Sequence, residues 1–390
     1  MEIAEQYTYL GLVFIPSGAV YKAVETLSTK CSRAWFSLSN FLYENKRMSA
    51  EKFLKLVDCL VLPVGQYASE LLAPLSLPAK SFLSPQNLMK AWEDFHLEKV
   101  NQRACRLLMS VQKKTSRLAL LGELGRYPVI FQSLVQSIMY KRSIEKYQSS
   151  SLVGQALQEM QEQNISTSWL GRVKSITQLV GIPEYPQYWS DERVRRNILT
   201  IFQSKFDIFF KDEISSENVR DDGVDHSKLR FYKTFKSCFR PEHYVESINN
   251  RNQRAWLCRL RTSSHRLEVE RGRYRGVLYC DRRCRYCPEA DIDTEIHFLH
   301  DCSIANQERA KFFAEMGTII PNFDSLNVID KVKTILCPAT NQAAKLTNRF
   351  IGNMFKEREN IEKGVNLQDD QVNISDSDEA FQSESSEDEI

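Results

Sequence analysis

The pattern of apolar positions changes character once, near the beginning of the chain. The run Tyr7-Thr8-Tyr9-Leu10-Gly11-Leu12-Val13-Phe14-Ile15 is aromatic and β-branched and stops at Pro16-Ser17-Gly18, which predicts a strand closed by a turn. From Val20 the period lengthens. Val20, Val24, Leu27, Cys31, Ala34, Leu38 and Phe41 recur at three and four residues, the spacing of one helix face. Ser49 is placed to cap a second helix with Phe53, Leu56, Val57 and Leu60 on its face, stopping near Pro63. The proline-punctuated stretch from Leu75 to Pro85 predicts a loop. A third helix follows, with Trp92, Phe95, Val100, Ala104, Leu107, Leu108 and Val111 on one side. Gly122 and Gly125 interrupt the pattern, and Pro128 suits the start of a fourth helix through Leu134, Val135, Ile138 and Met139. Gln148–Ser168 is polar and fits neither period, Asp191–Phe210 reads as a helix, and Ser215–Ser227 as a charged loop. The expected fold class is mainly α.

Composition narrows the setting. Hydrophobic residues make up 42% and charged residues 26% of the chain, which suits a globular protein with a sizeable core. No apolar h-region follows Glu2 and Glu5, and no apolar run approaches the roughly 18 residues of a membrane span. The expectation is an intracellular protein, nuclear or cytoplasmic, with no membrane partner.

The net charge of +2 conceals two opposite segments. Arg251–Cys287 holds eleven arginines against three acids, whereas Asn366–Ile390 holds nine acids and no basic residue. A basic segment calls for a polyanion, and an acidic end with few apolar residues predicts a disordered tail. Serines followed by acids, as in Ser375-Asp376-Ser377-Asp378, would suit an acid-directed kinase. Such a tail is also the natural element for recruiting a host protein.

Cys31, Cys59 and Cys105 sit on helix faces among apolar neighbours and read as small buried hydrophobes. The later cluster is different. Cys284-Arg-Tyr-Cys287, then His297, then Cys302 has the spacing of a zinc knuckle: two thiolates two residues apart, closed by a His and a Cys on a short helix or turn. Zinc imposes no geometry of its own and accepts mixed sulfur and nitrogen ligands. Four protein ligands leave no open position, so the centre is expected to be structural. Cys280 and His300 are alternative ligands.

Upstream of the knuckle, Arg254, Arg259, Arg261, Arg271, Arg273 and Arg275 are the expected phosphate contacts, since guanidinium groups pair bidentately with phosphate oxygens. Trp256, Tyr274 and Tyr286 would either stack on unpaired bases or pack into the core. Catalytic constellations are thin. Asp221-Asp222 is the candidate metal-binding pair outside the tail, but it lies in a polar loop with no flanking strand and is discounted. Gly122-Glu-Leu-Gly125 lacks the length and Lys-Ser/Thr ending of a phosphate loop.

Several segments in colinear order resemble the C-terminal part of a non-LTR (LINE-type) retrotransposon reverse transcriptase. Tyr9-Leu10-Gly11 with Val13-Phe14 and Ser17-Gly18 is similar to that family's primer-grip hairpin. Ala23–Leu42, Leu56-Val57-Asp58, Leu62-Pro63 and Tyr67-Ala68-Ser69-Glu70 are similar to its thumb. Leu97-Glu98-Lys99-Val100, Cys105-Arg106 and Gly122-Glu123-Leu124-Gly125-Arg126-Tyr127-Pro128 resemble the region after it. Ser263-Ser264-His265, Glu270-Arg271-Gly272-Arg273-Tyr274 and the knuckle resemble its C-terminal end.

The resemblance implies a β-hairpin remnant and thumb-like helices over 1–147, a helical linker over 148–245 and an Arg-rich segment with the zinc knuckle over 246–310. C-terminal helices over 311–360 and a disordered acidic tail over 361–390 complete the expectation. It implies binding of RNA or DNA. Ala68 stands where the family pattern has Gly. Because the fingers, palm aspartates and endonuclease lie outside the matching segments, neither polymerase nor nuclease activity carries over.

Overall fold

In the computed structural model, residues 5–146, 151–219, 225 and 227–363 are described. The single opening strand expected from the aromatic and β-branched run is instead a hairpin. β1 (Tyr7–Tyr9) and β2 (Leu12–Phe14) pair antiparallel, Tyr7 opposite Phe14. Leu10 and Gly11 between them have φ of 48° and 82°, both in the left-handed region that a tight two-residue hairpin turn requires. The hairpin implied by the resemblance is therefore present. Residue type along the run does not reveal it, because the turn residues Leu10 and Gly11 sit inside a continuous strand-like segment.

All other named elements are helices. α1 (Tyr21–Glu44), α2 (Ala50–Leu60), α3 (Leu62–Gly65) and α4 (Ser69–Ser76) come first, followed by α5 (Pro85–Lys90), α6 (His96–Met109), α7 (Arg117–Leu124) and α8 (Val129–Ile144). Ser49 caps α2 by accepting from the Lys52 N–H. Pro128 is the N-cap residue of α8, and the buried Glu98 carboxylate accepts the Val129 N–H there. Trp35 and Leu42 are buried on α1, whereas Phe41 is exposed. The buried stripe thus drifts around this long helix instead of keeping one register. Cys31 and Cys105 are buried as expected, but Cys59 is exposed. The expected loop at Leu75–Pro85 is largely helical: α4 reaches Ser76, a 3-10 turn covers Ala79–Phe82, and Ser84 caps α5 by accepting from the Asn87 N–H at 3.1 Å.

The middle of the chain supplies α9 (Leu152–Gln163), α10 (Trp169–Val180), α11 (Asp191–Ser215) and α12 (His243–Ser247). Polar Gln148–Ser168 thus contains a helix, capped by Ser151 accepting from the Gly154 N–H at 3.0 Å. Asp221-Asp222 lies outside the described residues. The last group is α13 (Arg251–Arg261), α14 (Glu268–Tyr274), α15 (Asn306–Ile319), α16 (Val328–Leu336) and α17 (Asn341–Glu362).

One hydrophobic cluster runs from Cys31 to Met354 and is continuous across the expected boundaries at 147, 245 and 310. α17 closes it by packing on α12, α13 and α15. A Cβ on Gly352 would lie 3.2 Å from the Trp256 ring, so the bare backbone there admits the indole, which stacks on Phe355 at 5.5 Å. Trp256 is a packing residue. α17 extends through Glu362, so the acidic segment begins later than residue 361, and residues 364–390 lie outside the described residues. Among the described residues no single helix is long and apolar enough to cross a membrane.

Candidate metal centre and arginine surface

The knuckle is a small hairpin of backbone. Cys284 N–H donates to the Asp291 carbonyl at 2.7 Å, Asp293 N–H to the Arg282 carbonyl at 2.9 Å, and Arg283 bridges Ile292 antiparallel. Inside it, the Cys287–Ala290 turn closes with Ala290 at a φ of 48°. His297 begins a single wide turn, His297–Asp301, in which the Cys302 N–H reaches back to the His297 carbonyl at 2.8 Å. That five-residue closure brings the last two candidate ligands to the same side.

The four expected ligands come together. Their ligating atoms all lie within 4.8 Å of one another, and Cys284, Cys287, His297 and Cys302 are 4%, 7%, 3% and 0% exposed. Cys284 Sγ is 3.9 Å from Cys302 Sγ, and Cys287 Sγ is 3.4 Å from His297 Nε2. A tetrahedral ion with ordinary bond lengths needs about 3.8 Å between sulfurs and about 3.6 Å between sulfur and nitrogen. The cluster can hold a metal ion with little rearrangement. All three cysteines are free thiols, and a sulfur separation of 3.9 Å is far beyond a disulfide bond. The alternative ligands are elsewhere: Cys280 is exposed, and His300 Nδ1 faces Asp301 at 2.6 Å.

A cation stands beside the sulfurs. Arg358, on α17, donates from Nη2 to Cys284 Sγ at 3.6 Å and to Cys302 Sγ at 3.5 Å. Its Nη1 meets Asp293 Oδ1 at 3.0 Å. Burial opposes the Arg358 charge, but Asp293 and the sulfurs outweigh it and raise its pKa. The hydrogen bond from Cys284 outweighs burial at Cys302 and, with His297 and Arg358, draws that thiol down to about 3. His297 Nδ1 is buried without a hydrogen-bond partner, so Nε2 is the nitrogen turned toward the sulfurs. Sequence reasoning missed Arg358 and Asp293. One signal was available: Arg358 lies four residues after Met354 on the buried face of α17, where an arginine requires a partner.

The arginines expected to meet phosphate divide into two groups. Arg254 and Arg261 are fully buried, and their expected role is corrected. Arg254 donates to the Val245, Ile248 and Leu108 carbonyls at 3.0, 3.2 and 2.7 Å. Arg261 pairs with Glu123 at 2.7 and 2.9 Å and with Glu242 at 2.8 Å. Arg259 is half-buried and donates from Nε and Nη2 to the Ser110 carbonyl. These donors bind loops and helix ends together, leaving no fork for a phosphate.

The second group reaches the surface. Arg271, Arg275 and Arg285, with side chains 40%, 45% and 58% exposed, converge on the buried carboxylate of Glu268. Arg271 also meets Glu362 at 3.6 Å. Arg273 is held by Glu270 at 2.8 Å and is less exposed. Gly272 allows this helix to sit low on the knuckle, because a Cβ there would come 2.6 Å from Arg282 Cγ. Tyr274 is exposed beside Arg273, whereas Tyr286 turns inward to Arg358 and hydrogen-bonds Glu362. Arg285 was within the basic stretch but carried no assigned role; its neighbours in space are residues of α14, which sequence distance hides.

No protein-family model, curated protein or solved structure matches the chain.

Proposed function

We propose that the chain is a zinc-containing nucleic-acid-binding protein descended from the C-terminal part of a LINE-type reverse transcriptase, without polymerase or endonuclease activity. The observation that carries the reading is the convergence of Arg271, Arg275 and Arg285 on one carboxylate beside the Cys-Cys-His-Cys cluster. Three guanidiniums against the buried Glu268 and, at Arg271, the more exposed Glu362 leave an excess of positive charge toward solvent. This suits a phosphate backbone better than a single carboxylate partner. Zinc is the ion that best suits three thiolates and one imidazole in a closed tetrahedron. Its role is to fix the knuckle on which Arg285 and α14 are carried.

The exposed Tyr274 ring lies under Arg273 and Lys114, and an unpaired base that displaces one of these cations to stack there would favour single-stranded RNA or DNA over duplex. The test is binding of the purified chain to labelled single-stranded RNA, single-stranded DNA and duplex DNA across a salt series. Binding that weakens with salt and is lost on replacing Arg271, Arg275 and Arg285 supports the reading. A chain that binds none of the three at low salt contradicts it.

A second reading, a protein-interaction module scaffolded by the metal, draws on the hairpin. Tyr7, Tyr9, Leu10 and Phe14 are all more than half exposed, an apolar patch of the kind that partner proteins cover.

A further inference from the structure

The cysteine cluster is enclosed by charge that its ligand set does not explain. Arg358 Nη2 lies within 3.6 Å of two sulfurs, and Nη1 of the same guanidinium is held by Asp293. Arg309, buried on α15, donates to the Leu299 and Cys302 carbonyls at 3.1 and 2.5 Å. The two guanidiniums and the Asp293 carboxylate together leave one positive charge in a water-poor environment. Glu289, hydrogen-bonded to Ser303 at 2.8 Å, and Asp301 near Arg309 are exposed, so solvent screens them. Burial with Glu308 draws Glu357, near Cys302, toward its neutral form. A divalent ion with three thiolates and a neutral imidazole carries one negative charge. A monovalent ion would carry two. The surroundings match the divalent case.

From this geometry we infer that Arg358 is a charge-compensating clamp for a divalent Cys-Cys-His-Cys centre, joining metal loading to the docking of α17. The inference deepens the zinc reading and rests on metal occupancy of the cluster. Its guanidinium forms hydrogen bonds to two thiolates at once, which lowers the energy of the sulfur lone pairs. The thiolates then remain ligands and are poor nucleophiles, as a structural centre requires. Because Arg358 sits near the end of α17, the helix that carries Glu362 to Arg271, the same contact ties the metal to the arginine surface. Arg358 acts through the sulfurs and touches no substrate: it is a positioning residue.

The experiment compares full-length wild type, Arg358→Met and Arg358→Lys. Zinc content is measured directly, zinc affinity by competition with a chelator, and sulfur donation from the near-ultraviolet charge-transfer bands of the cobalt(II)-loaded protein. Arg358→Met is expected to weaken zinc binding by about ten- to a hundredfold, as for other outer-shell partners of metal ligands. Its cobalt band should move to lower energy while the tetrahedral visible bands persist. Arg358→Lys should recover part of the affinity but not the band position, because an ammonium lacks the second nitrogen that holds Asp293 while Nη2 bridges the two sulfurs. Unchanged affinity and an unshifted band in Arg358→Met overturn the inference; if that variant does not fold, the same result in Arg358→Lys does so. Wild-type protein that binds neither zinc nor cobalt overturns the metal reading itself, which is a separate and recognisable failure.

Discussion

Asp293 joins the arginine helix to the cysteine–histidine cluster: its carboxylate accepts the Glu268 N–H at 2.8 Å and pairs with Arg358 at 3.0 Å. The first contact caps α14, and the second holds the guanidinium that faces Cys284 and Cys302. Both partners are buried, so the carboxylate cannot be exchanged for water without loss.

Asp293→Asn tests that junction. The amide keeps the shape and an acceptor for the Glu268 N–H, but it leaves Arg358 buried with only the sulfurs to answer its charge. Removing one member of a buried ion pair typically costs about 3–5 kcal/mol. The loss should approach that range in metal-free protein, where of the two sulfurs facing Arg358 only Cys302 is drawn toward the thiolate. It should be smaller when zinc is bound, because Cys284 is then a thiolate as well. Urea unfolding with and without zinc measures the difference; equal losses in the two states would refute the coupling.

The cluster itself makes a simple prediction. Cys284→Ser and His297→Ala should each abolish stable zinc binding and loosen the knuckle, since the free energy of structural zinc is folding free energy. Cys280→Ser and His300→Gln should leave one zinc per chain, because neither side chain is in the cluster. Elemental analysis after dialysis separates the two outcomes. Loss of zinc in Cys280→Ser would mean that the ligand set is shuffled.

A pair near the start of α6 predicts a concealed pH dependence. Burial pushes His96 down to about 4 and Glu98 up to about 7. His96 is neutral in the fold and charged when unfolded at mild acid, so its contribution is present above about 6.5 and lost toward 4. Glu98 is protonated in the fold, so its contribution is present below about 4.5 and lost as pH rises through 7. Between about 4.5 and 6.5 the two slopes oppose each other. Wild-type stability should therefore be nearly flat there. Glu98→Gln should make the protein lose up to about 3 kcal/mol from pH 6.5 to 4, and His96→Gln should show the opposite slope. Denaturant midpoints across that range decide it; identical profiles for both variants would contradict the assignment.

How much of this could be read from the sequence depends on how far apart the partners are. The cysteine–histidine cluster was legible because a knuckle is local: Cys284 to Cys302 is one short segment, and its spacing encodes the turn geometry. Arg358 was not legible, since nothing in the spacing shows that α17 returns to the sulfurs from 56 residues beyond Cys302. The arginines show the same limit from the other side. Arg261 and Arg271 look alike in a basic stretch, but Arg261 is drawn inward by Glu123, which lies 138 residues earlier. Charge density along the chain counts both equally; only three-dimensional pairing separates a core fork from a surface one. The helix faces were legible to within a turn, whereas the Leu10-Gly11 turn and the short elements around Pro78 and Pro85 were not. Their boundaries are set by left-handed residues and single caps that leave little trace in periodicity.

That division gives a stability prediction for the inward group. Arg261→Met leaves Glu123 buried without its bidentate partner, although Tyr244 still donates to it at 2.6 Å. A loss of about 3–5 kcal/mol is expected, measured by thermal or urea unfolding. The Glu123 carboxylate is held below its ordinary value because Arg261, with Lys236 and Tyr244, outweighs its burial. Its contribution is therefore present above the usual carboxylate range and lost as pH falls below it, and Glu123→Gln should weaken that acid sensitivity. A surface role for Arg261 would instead give weakened nucleic-acid binding with unchanged stability.

The outward group governs salt dependence. If Arg271, Arg275 and Arg285 each neutralise one phosphate, the log–log slope of affinity against salt should include about −2.7 from them on duplex DNA and about −2 on single strands. Replacing all three by Gln should flatten the slope by that amount. Unfolding midpoints should fall in the triple variant, since it leaves the buried Glu268 carboxylate without a cation. Each single Gln variant keeps two of the three partners and should shift the midpoint little while removing about a third of that slope. Arg273→Gln should change the slope less, since Glu270 already holds that guanidinium. Removing Asn366–Ile390, with its nine acids, takes away a polyanion attached directly after the helix that carries Glu362 to Arg271. Binding to RNA or DNA should then tighten severalfold at low salt, and the gain should fade as salt screens the competing charges. The effect depends on the arginines, so the truncation should bring no gain in the triple Gln variant. Equal tightening in both backgrounds would place the tail's influence somewhere other than this surface.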